Sequence, residues 1–230
     1  MRTIPWTAAI LAGGEARRLG RIDKSALVVG TASILERQLA VLRGLTPHIL
    51  IVTSDRHGVR PAPPGVRVVT DLVPAAGALG GLYTALMEAT TDQVLVIGCD
   101  MPFLTAAFVT CVVERGREAD VAVPRDERGR HPLCASYARR TAAHFRARIE
   151  AGELRVGDAL QGLAVRELGP DELAPFNRDG RLLLNINTPD DYARARLAAA
   201  DGDDSTPTRK DRASGTPLDS RVTRPERTPE

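Results

Sequence analysis

Four apolar runs, each stopped by a polar or glycine-rich stretch, constrain this chain more than any other feature. TAAIL (7–11) runs towards Gly13-Gly14, HILIVTS ends at Ser54, VRVVTD at Asp71 and QVLVIGCD at Asp100. Short continuous runs rich in β-branched residues predict strands buried on both faces of a sheet. The segments between them repeat at helical spacing instead. SILERQLAVLR carries Leu35, Leu39 and Leu42 on one face, and GGLYTALMEA with its preceding residue carries Leu79, Leu82 and Leu86. Further along, LTAAFVTCVVERG predicts a helix, DVAVP and HPLCASY strands, RTAAHFRARIEAG a helix ending near Gly152, and RLLLNIN a strand. TPDDYARARLAAA opens a last helix with Thr188 as N-cap, Pro189 at the first helical position and acids in the first turn. Strand–helix alternation of this kind predicts an α/β fold: a doubly wound, Rossmann-like, mainly parallel sheet with helices on both faces.

Residues 1–200 are ample for one such domain within the chain of 230. Residues 201–230 differ in character. Ala213, Leu218 and Val222 are their apolar members, against four prolines and thirteen charged residues, which predicts a disordered tail. Six of those charges are basic and seven acidic, a poor match for a polyanion. The whole chain carries a net charge of +2, so no global basic field argues for nucleic acid. No apolar run approaches the ~18 residues of a membrane span, and Met1 to Ala12 reads as a first strand rather than a signal peptide. Cys99, Cys111 and Cys134 form neither a CxxC nor a metal spacing. Such a scattered, odd set favours a reducing compartment, and a cytoplasmic protein is expected.

In a doubly wound sheet, ligands bind beyond the carboxyl ends of the strands. Gly13, Gly14, Arg17, Arg18, Gly20 and Lys24 follow the first strand; Asp71 and Asp100 end two others, and Asn185 and Asn187 end RLLLNIN. The loop LAGGEARRLGRIDKSAL is no P-loop, because Asp23 precedes Lys24 where a P-loop has glycine. Nor is it GxGxxG. Its glycines still suit a backbone cradle for phosphate, with Arg18 and Lys24 to neutralise the charge; a tight turn with solvated arginines fits the same residues. Of 31 basic residues 29 are arginine, and Lys24 is the sole lysine before the tail, which suggests a site that takes a compact ammonium but not a planar guanidinium. Asp100, between a buried strand and Pro102, suits Mg²⁺, which takes one or two carboxylates plus phosphate oxygens. Thr105 is better placed than Asp100 to cap the following helix. His131 fits either a substrate contact or a turn, and Cys99 reads as a small core residue.

These motifs resemble those of nucleotidyltransferases, and within them most closely the molybdenum cofactor guanylyltransferases. The loop resembles the family's LAGG, basic RMG and DK elements; GALGGL resembles its G-P-L-x-G segment, CDMPFL its C-D-x-P metal motif, and RHPLCASY and NINTPDDY its H-P and N-x-N-T-P segments. The resemblance covers most of residues 7–195. It implies GTP binding by the first half of the domain and molybdopterin binding by the second. By motif it implies a nucleotide turn at Leu11, Ala12, Gly13 and Gly14, a phosphate contact at Lys24, and nucleoside contacts at Thr53 and Asp71. It further implies Mg²⁺ and nucleotide on Asp100, and the acceptor near Arg155, Asn185 and Asn187. Lys24, Arg18 and Asp100 would then carry catalysis. The implied partners are GTP and molybdopterin, with transient contact to cofactor-synthesis proteins or acceptor apoenzymes, and neither nucleic acid nor membrane. Three positions depart from the pattern: Leu19 stands for Met, Ala78 for Pro, and Thr53 where some relatives have Asn. A cytidylyl- or sugar-phosphate nucleotidyltransferase is the alternative, although those usually read LAAG where this chain reads LAGG.

Overall fold

A strand buried on both faces must pair on both edges, and β1 (Thr7–Leu11) does so at the centre of the sheet. The structure, a computed structural model, describes residues 4–12, 15–16, 22–54 and 62–202. After β1 come a short ribbon, β2 (Glu15–Ala16) with β3 (Ile22–Asp23), and a small hairpin, β4 (Val28–Val29) with β5 (Ala32–Ser33). Helix α1 (Ile34–Arg43) leads to β6 (Ile49–Thr53) and β7 (Val66–Thr70), and α2 (Gly77–Glu88) to β8 (Gln93–Gly98). Helix α3 (Ala106–Arg115) precedes β9 (Val121–Asp126), β10 (Gly129–Arg130) and β11 (Cys134–Ala138). Helix α4 (Ala142–Glu150), β12 (Val165–Leu168), α5 (Pro170–Leu173) and α6 (Pro189–Gly202) complete the order. The main sheet runs β10-β9-β11-β8-β1-β6-β7, with β12 on β9. Strands β8, β1, β6 and β7 are parallel, and β12 runs parallel to β9; β11 enters antiparallel between β8 and β9. This is the mainly parallel, doubly wound sheet the alternation predicts.

Side-chain alternation splits the core into two layers. Ala8, Ile10, Ile49, Ile51, Leu95 and Ile97 face one side, covered by Leu35, Leu39 and Leu42 of α1 and Phe108 and Val112 of α3. Ala9, Leu50, Val52, Val94 and Val96 face the other, covered by Leu79, Leu82 and Leu86 of α2 and Phe145 of α4. The stripes read from the sequence are therefore the buried ones. A third cluster joins Leu27, Val29, Ile34, Ile186, Ala195 and Ala199, and ties α6 to the β4–β5 hairpin. The Tyr192 hydroxyl adds a bond to the Val28 carbonyl at 2.9 Å.

The caps follow the sequence. Thr105 accepts from the Phe108 N–H at 3.3 Å and Thr188 from the Asp191 N–H at 3.1 Å. Ser33 and Glu36 form a reciprocal capping box at the start of α1. RLLLNIN is a correction, because residues 181–187 form no strand. The Leu184 N–H bonds to the Arg181 carbonyl at 3.0 Å in a turn, and the Ile186 N–H to the Asp100 carbonyl at 2.9 Å, instead of entering a ladder. A short apolar run specifies burial better than it specifies extension. β12 and α5 went unread, being short and weakly apolar.

At one point the backbone leaves no room for a side chain. A methyl on Gly80 of α2 would stand 2.2 Å from the Val73 carbonyl oxygen. Gly80→Ala must push the 71–73 turn away from the helix, at a cost of about 1–3 kcal/mol as for overpacking. The expected fall in Tm is roughly 2–10 °C for a domain of this size; an unchanged thermal transition would show that the turn yields freely.

Candidate active site

The carboxyl ends of β1, β6, β7 and β8 open on one cavity of about 330 Å³. Leu11, Val52, Ser54, Asp71, Gly98, Cys99 and Asp100 line it from the sheet side, Gly77, Ala78 and Gly81 from α2, and Leu133 and Asn187 from later segments. In-register pairing sets where it lies. Leu11 stands opposite both Val52 and Gly98, so three strands stop at one level. Helix α2 starts at the same level with Gly77 at φ 59°, and no side chain caps its first turn. The Gly77 N–H is taken by the Pro74 carbonyl, and Gly77, Ala78 and Gly81 bring the start of the helix to the cavity wall, an end where a polar or anionic ligand is favoured.

Asp71 is buried and held from two directions. Its Oδ1 accepts from the Val73 N–H at 2.9 Å and from the Thr84 hydroxyl at 2.8 Å. Thr84 Oγ1 in turn accepts from the Leu72 N–H at 2.9 Å. Thr84 was not legible as a site residue; its signal was a hydroxyl on an otherwise apolar helix face.

Asp100 follows β8 in a turn whose backbone is tied to three other segments. The Gly98 N–H donates to the Leu133 carbonyl at 2.8 Å, the Cys99 N–H to the Leu11 carbonyl at 3.2 Å, and the Ile186 N–H to the Asp100 carbonyl at 2.9 Å. The carboxylate folds back over Gly98: Oδ1 lies 2.8 Å from where a Cβ on that glycine would stand. Burial, and secondarily the charge of Asp100, push the Cys134 thiol well above the ordinary thiol range. That thiol is held as S–H, and a thiolate nucleophile is not formed there.

The 185–187 segment reaches this corner because Ile186 is pinned to Asp100. Asn187 lines the cavity; Asn185 does not, and its Oδ1 is buried with no hydrogen-bond donor among the described residues. Ala12 follows β1, its N–H bonded to the Val52 carbonyl at 2.8 Å. Thr53 is buried and its side chain does not line the cavity, whereas Ser54 does. Alternation along HILIVTS carries this signal, since Val52 and Ser54 share a face that Thr53 does not. Arg155 lies on an exposed turn, 3.6 Å from Asp158, and is not part of the cavity wall. Gly13, Gly14, Arg17, Arg18 and Gly20 fall outside the described residues, as does the side chain of Lys24. The backbone of Lys24 opens a 3₁₀ turn, Lys24–Ala26, directly after β3. His131 sits with Nε2 2.9 Å from Asp126 Oδ1, and its N–H bonds to the Pro124 carbonyl, so it braces the β9–β10 turn.

The model of the MobA-like NTP transferase domain matches residues 8–163. The chain belongs to this family. The MobA-like chain is 32% identical over 194 residues to the probable molybdenum cofactor guanylyltransferase of Pelotomaculum thermopropionicum, covering 84% of its own length and 93% of the relative's. In fold it is similar to molybdopterin-guanine dinucleotide biosynthesis protein A from Archaeoglobus fulgidus, with a TM-score of 0.75 at 24% identity over 85% of this chain and 99% of that one. It is also similar in fold to the manganese complex of Rv0371C from Mycobacterium tuberculosis H37Rv, with a TM-score of 0.62 at 22% identity over 84% and 98% of the two chains. Among the described residues of this MobA-like protein no helix is long and apolar enough to cross a membrane.

Asp191 sets the position of Asn187. Its Oδ2 accepts from the Asn187 N–H at 3.1 Å and the Thr188 N–H at 2.9 Å. Burial works against the charge, but bonds from Thr188, the Asn187 backbone and Arg194 outweigh it and hold the carboxyl below its ordinary 3.8. A carboxyl lowered by folding stabilises above its unfolded pKa, and that contribution is lost as pH falls through the folded value. Asp191→Asn is therefore expected to be less stable than the parent at pH 7, with the gap closing as pH drops below 3.8. Denaturant melts across pH test this; a gap independent of pH would deny the charge its role.

Proposed function

We propose that this MobA-like protein transfers GMP from GTP to the phosphate of molybdopterin, releasing pyrophosphate and forming the guanine dinucleotide cofactor. The observation that carries the reading is the meeting of Asp71, Asp100, the uncapped start of α2 and Asn187 around one cavity. The P. thermopropionicum relative's guanylyltransferase name supports it.

The reaction needs no general base. An oxygen of the acceptor phosphate, ionised at neutral pH, forms a bond to the α-phosphorus of GTP. The bond from that phosphorus to the α,β-bridging oxygen breaks, and its electron pair leaves with pyrophosphate. The demand on the protein is to bring two anions together and to stabilise charge on the leaving group. In this reading Leu11, Ala12, Gly13 and Gly14 form the nucleotide turn, and Arg18 and Lys24 neutralise phosphate. Asp71 holds the nucleoside, and of the neighbouring pair Ser54 rather than Thr53 faces the space it would fill. Asn185, Asn187 and the exposed Arg155 are assigned to the acceptor.

Among the described residues no three His, Cys, Asp or Glu side chains gather as a metal cage. One carboxylate, Asp100, at a cavity wall suits a hard cation that completes its shell with phosphate oxygens and water, and Mg²⁺ is the expected ion. When bound it supplies charge neutralisation on the transferred phosphoryl group. The cytoplasm is the expected compartment for this reading, and transient contact with cofactor-synthesis proteins or acceptor apoenzymes is proposed with it.

Pyrophosphate release from GTP, CTP or ATP, each given in parallel with molybdopterin, tests the assignment. GTP is expected to be preferred, and preference for CTP would favour the cytidylyl alternative. Asp100→Asn keeps the shape and removes a charge, and turnover is expected to fall by about two or more orders of magnitude, as for loss of a main electrostatic stabiliser. Near-parental turnover would remove Asp100 from the metal site. Lys24→Arg keeps charge and changes shape; clear impairment is expected if a compact ammonium is required, and parental turnover would deny it.

A further inference from the structure

The buried face of α1 consists of Ile34, Leu35, Gln38, Leu39 and Leu42. Gln38 is its polar member, 2% exposed. Its Nε2 donates to the Gly98 carbonyl at 2.8 Å and to the Met101 carbonyl at 3.1 Å, so one amide bridges the two residues that flank Cys99-Asp100. The adjacent Arg37 donates from Nε to the Pro102 carbonyl at 3.0 Å, and its guanidinium lies over the Phe103 ring, 5.7 Å from the centroid. With the Ile186 N–H on the Asp100 carbonyl, the carbonyls of Gly98, Asp100, Met101 and Pro102 are all taken by donors from outside the turn. The turn therefore owes its shape to α1 and the 185–187 segment.

Gln38 also carries a cost that packing does not explain. Its Oε1 is buried with no hydrogen-bond donor among the described residues. A hydrocarbon side chain would suit the apolar face but would strand two buried carbonyls. The carboxylate of Asp100 leans over Gly98, the residue whose carbonyl Gln38 holds, with Oδ1 2.8 Å from the place of a Cβ. Any shift of Gly98 is passed directly to the carboxylate.

We propose that Gln38 is a positioning residue for Asp100: by clasping the 98–101 turn from behind, it sets the carboxylate's place and hence how tightly the site holds a divalent cation with nucleotide. The proposal rests on the reading of Asp100 as the metal carboxylate. Gln38 touches neither substrate nor cation and acts through the turn.

Mn²⁺ serves as the probe, its free concentration followed by its paramagnetic resonance with GTP present and acceptor absent. Gln38→Met keeps the length and removes both donors. Its Mn²⁺ affinity is expected to weaken about 10–100-fold, as for loss of an outer-shell partner, with turnover recovering at high Mn²⁺. Exchange of the Ile186 amide, which reports the turn directly, should quicken in the same variant. If Gln38→Met lowers only Tm and its Mn²⁺ isotherm overlies the parent's, Gln38 is a structural residue and the proposal is overturned. The parent supplies a measurement without substitution: adding Mn²⁺ with GTP should slow Ile186 exchange, because coupling between turn and cation is reciprocal, and no change would overturn the proposal. Asp100→Asn is the reference. If it binds Mn²⁺ with GTP as the parent does, the metal reading of Asp100 fails, while faster Ile186 exchange in Gln38→Met separately reports the turn.

Discussion

The in-register pairing of β1 with β6 and β8 is the constraint on which the rest depends. All three strands are covered on both faces, so a slip of one residue would turn each side chain into the wrong layer. The register brings Leu11, Val52 and Gly98 to one level. The polar groups the sheet supplies are hung just beyond that level: Ser54 after β6, Asp71 after β7, Asp100 after β8. The cavity is a consequence of strands that stop together, because the chain must leave the sheet there and cannot fill the space it leaves.

The two carboxylates of that cavity differ in how they are held. Asp71 uses one oxygen to build its own turn, with Thr84 as a bracket between the carboxylate and the Leu72 amide. Its carboxylate is settled locally, by residues within α2 and the turn before it, while its backbone N–H bonds to the Thr53 carbonyl at 2.8 Å. Asp100 is held through its backbone by segments remote in sequence: the end of β1, Leu133 before β11, α1, and the 185–187 stretch. One acid is thus a feature of a supersecondary unit and the other of the whole domain.

This difference explains what the sequence disclosed and what it withheld. The stripes on α1 and α2, the caps at Thr105 and Thr188, and the runs of β1, β6, β7 and β8 are local patterns, and each was readable from a short window. Asp71 and Asp100 could be picked out as polar ends of strands. RLLLNIN was misread because adjacent buried leucines look alike in a strand and in an irregular segment, and its deciding bond runs to Asp100. Ser54 was passed over in favour of Thr53, although the alternation of the strand separates them. Gln38 carried no motif at all; its partners are carbonyls, which leave no mark in a sequence. The glycine-rich loop carried the strongest family resemblance, and Gly13, Gly14 and residues 17–21 of it lie outside the described residues.

The bond from Ile186 to Asp100 has a consequence for how the molecule is made. Synthesis runs from the N-terminus, and β1, β6, β7 and β8 with α1 and α2 are all complete by Gly98. The carbonyl of Asp100 must wait for a donor that leaves the ribosome after nearly the whole domain has been synthesised. The acidic corner of the cavity is therefore finished last, and a nascent chain holds its cleft before it holds the geometry to use it.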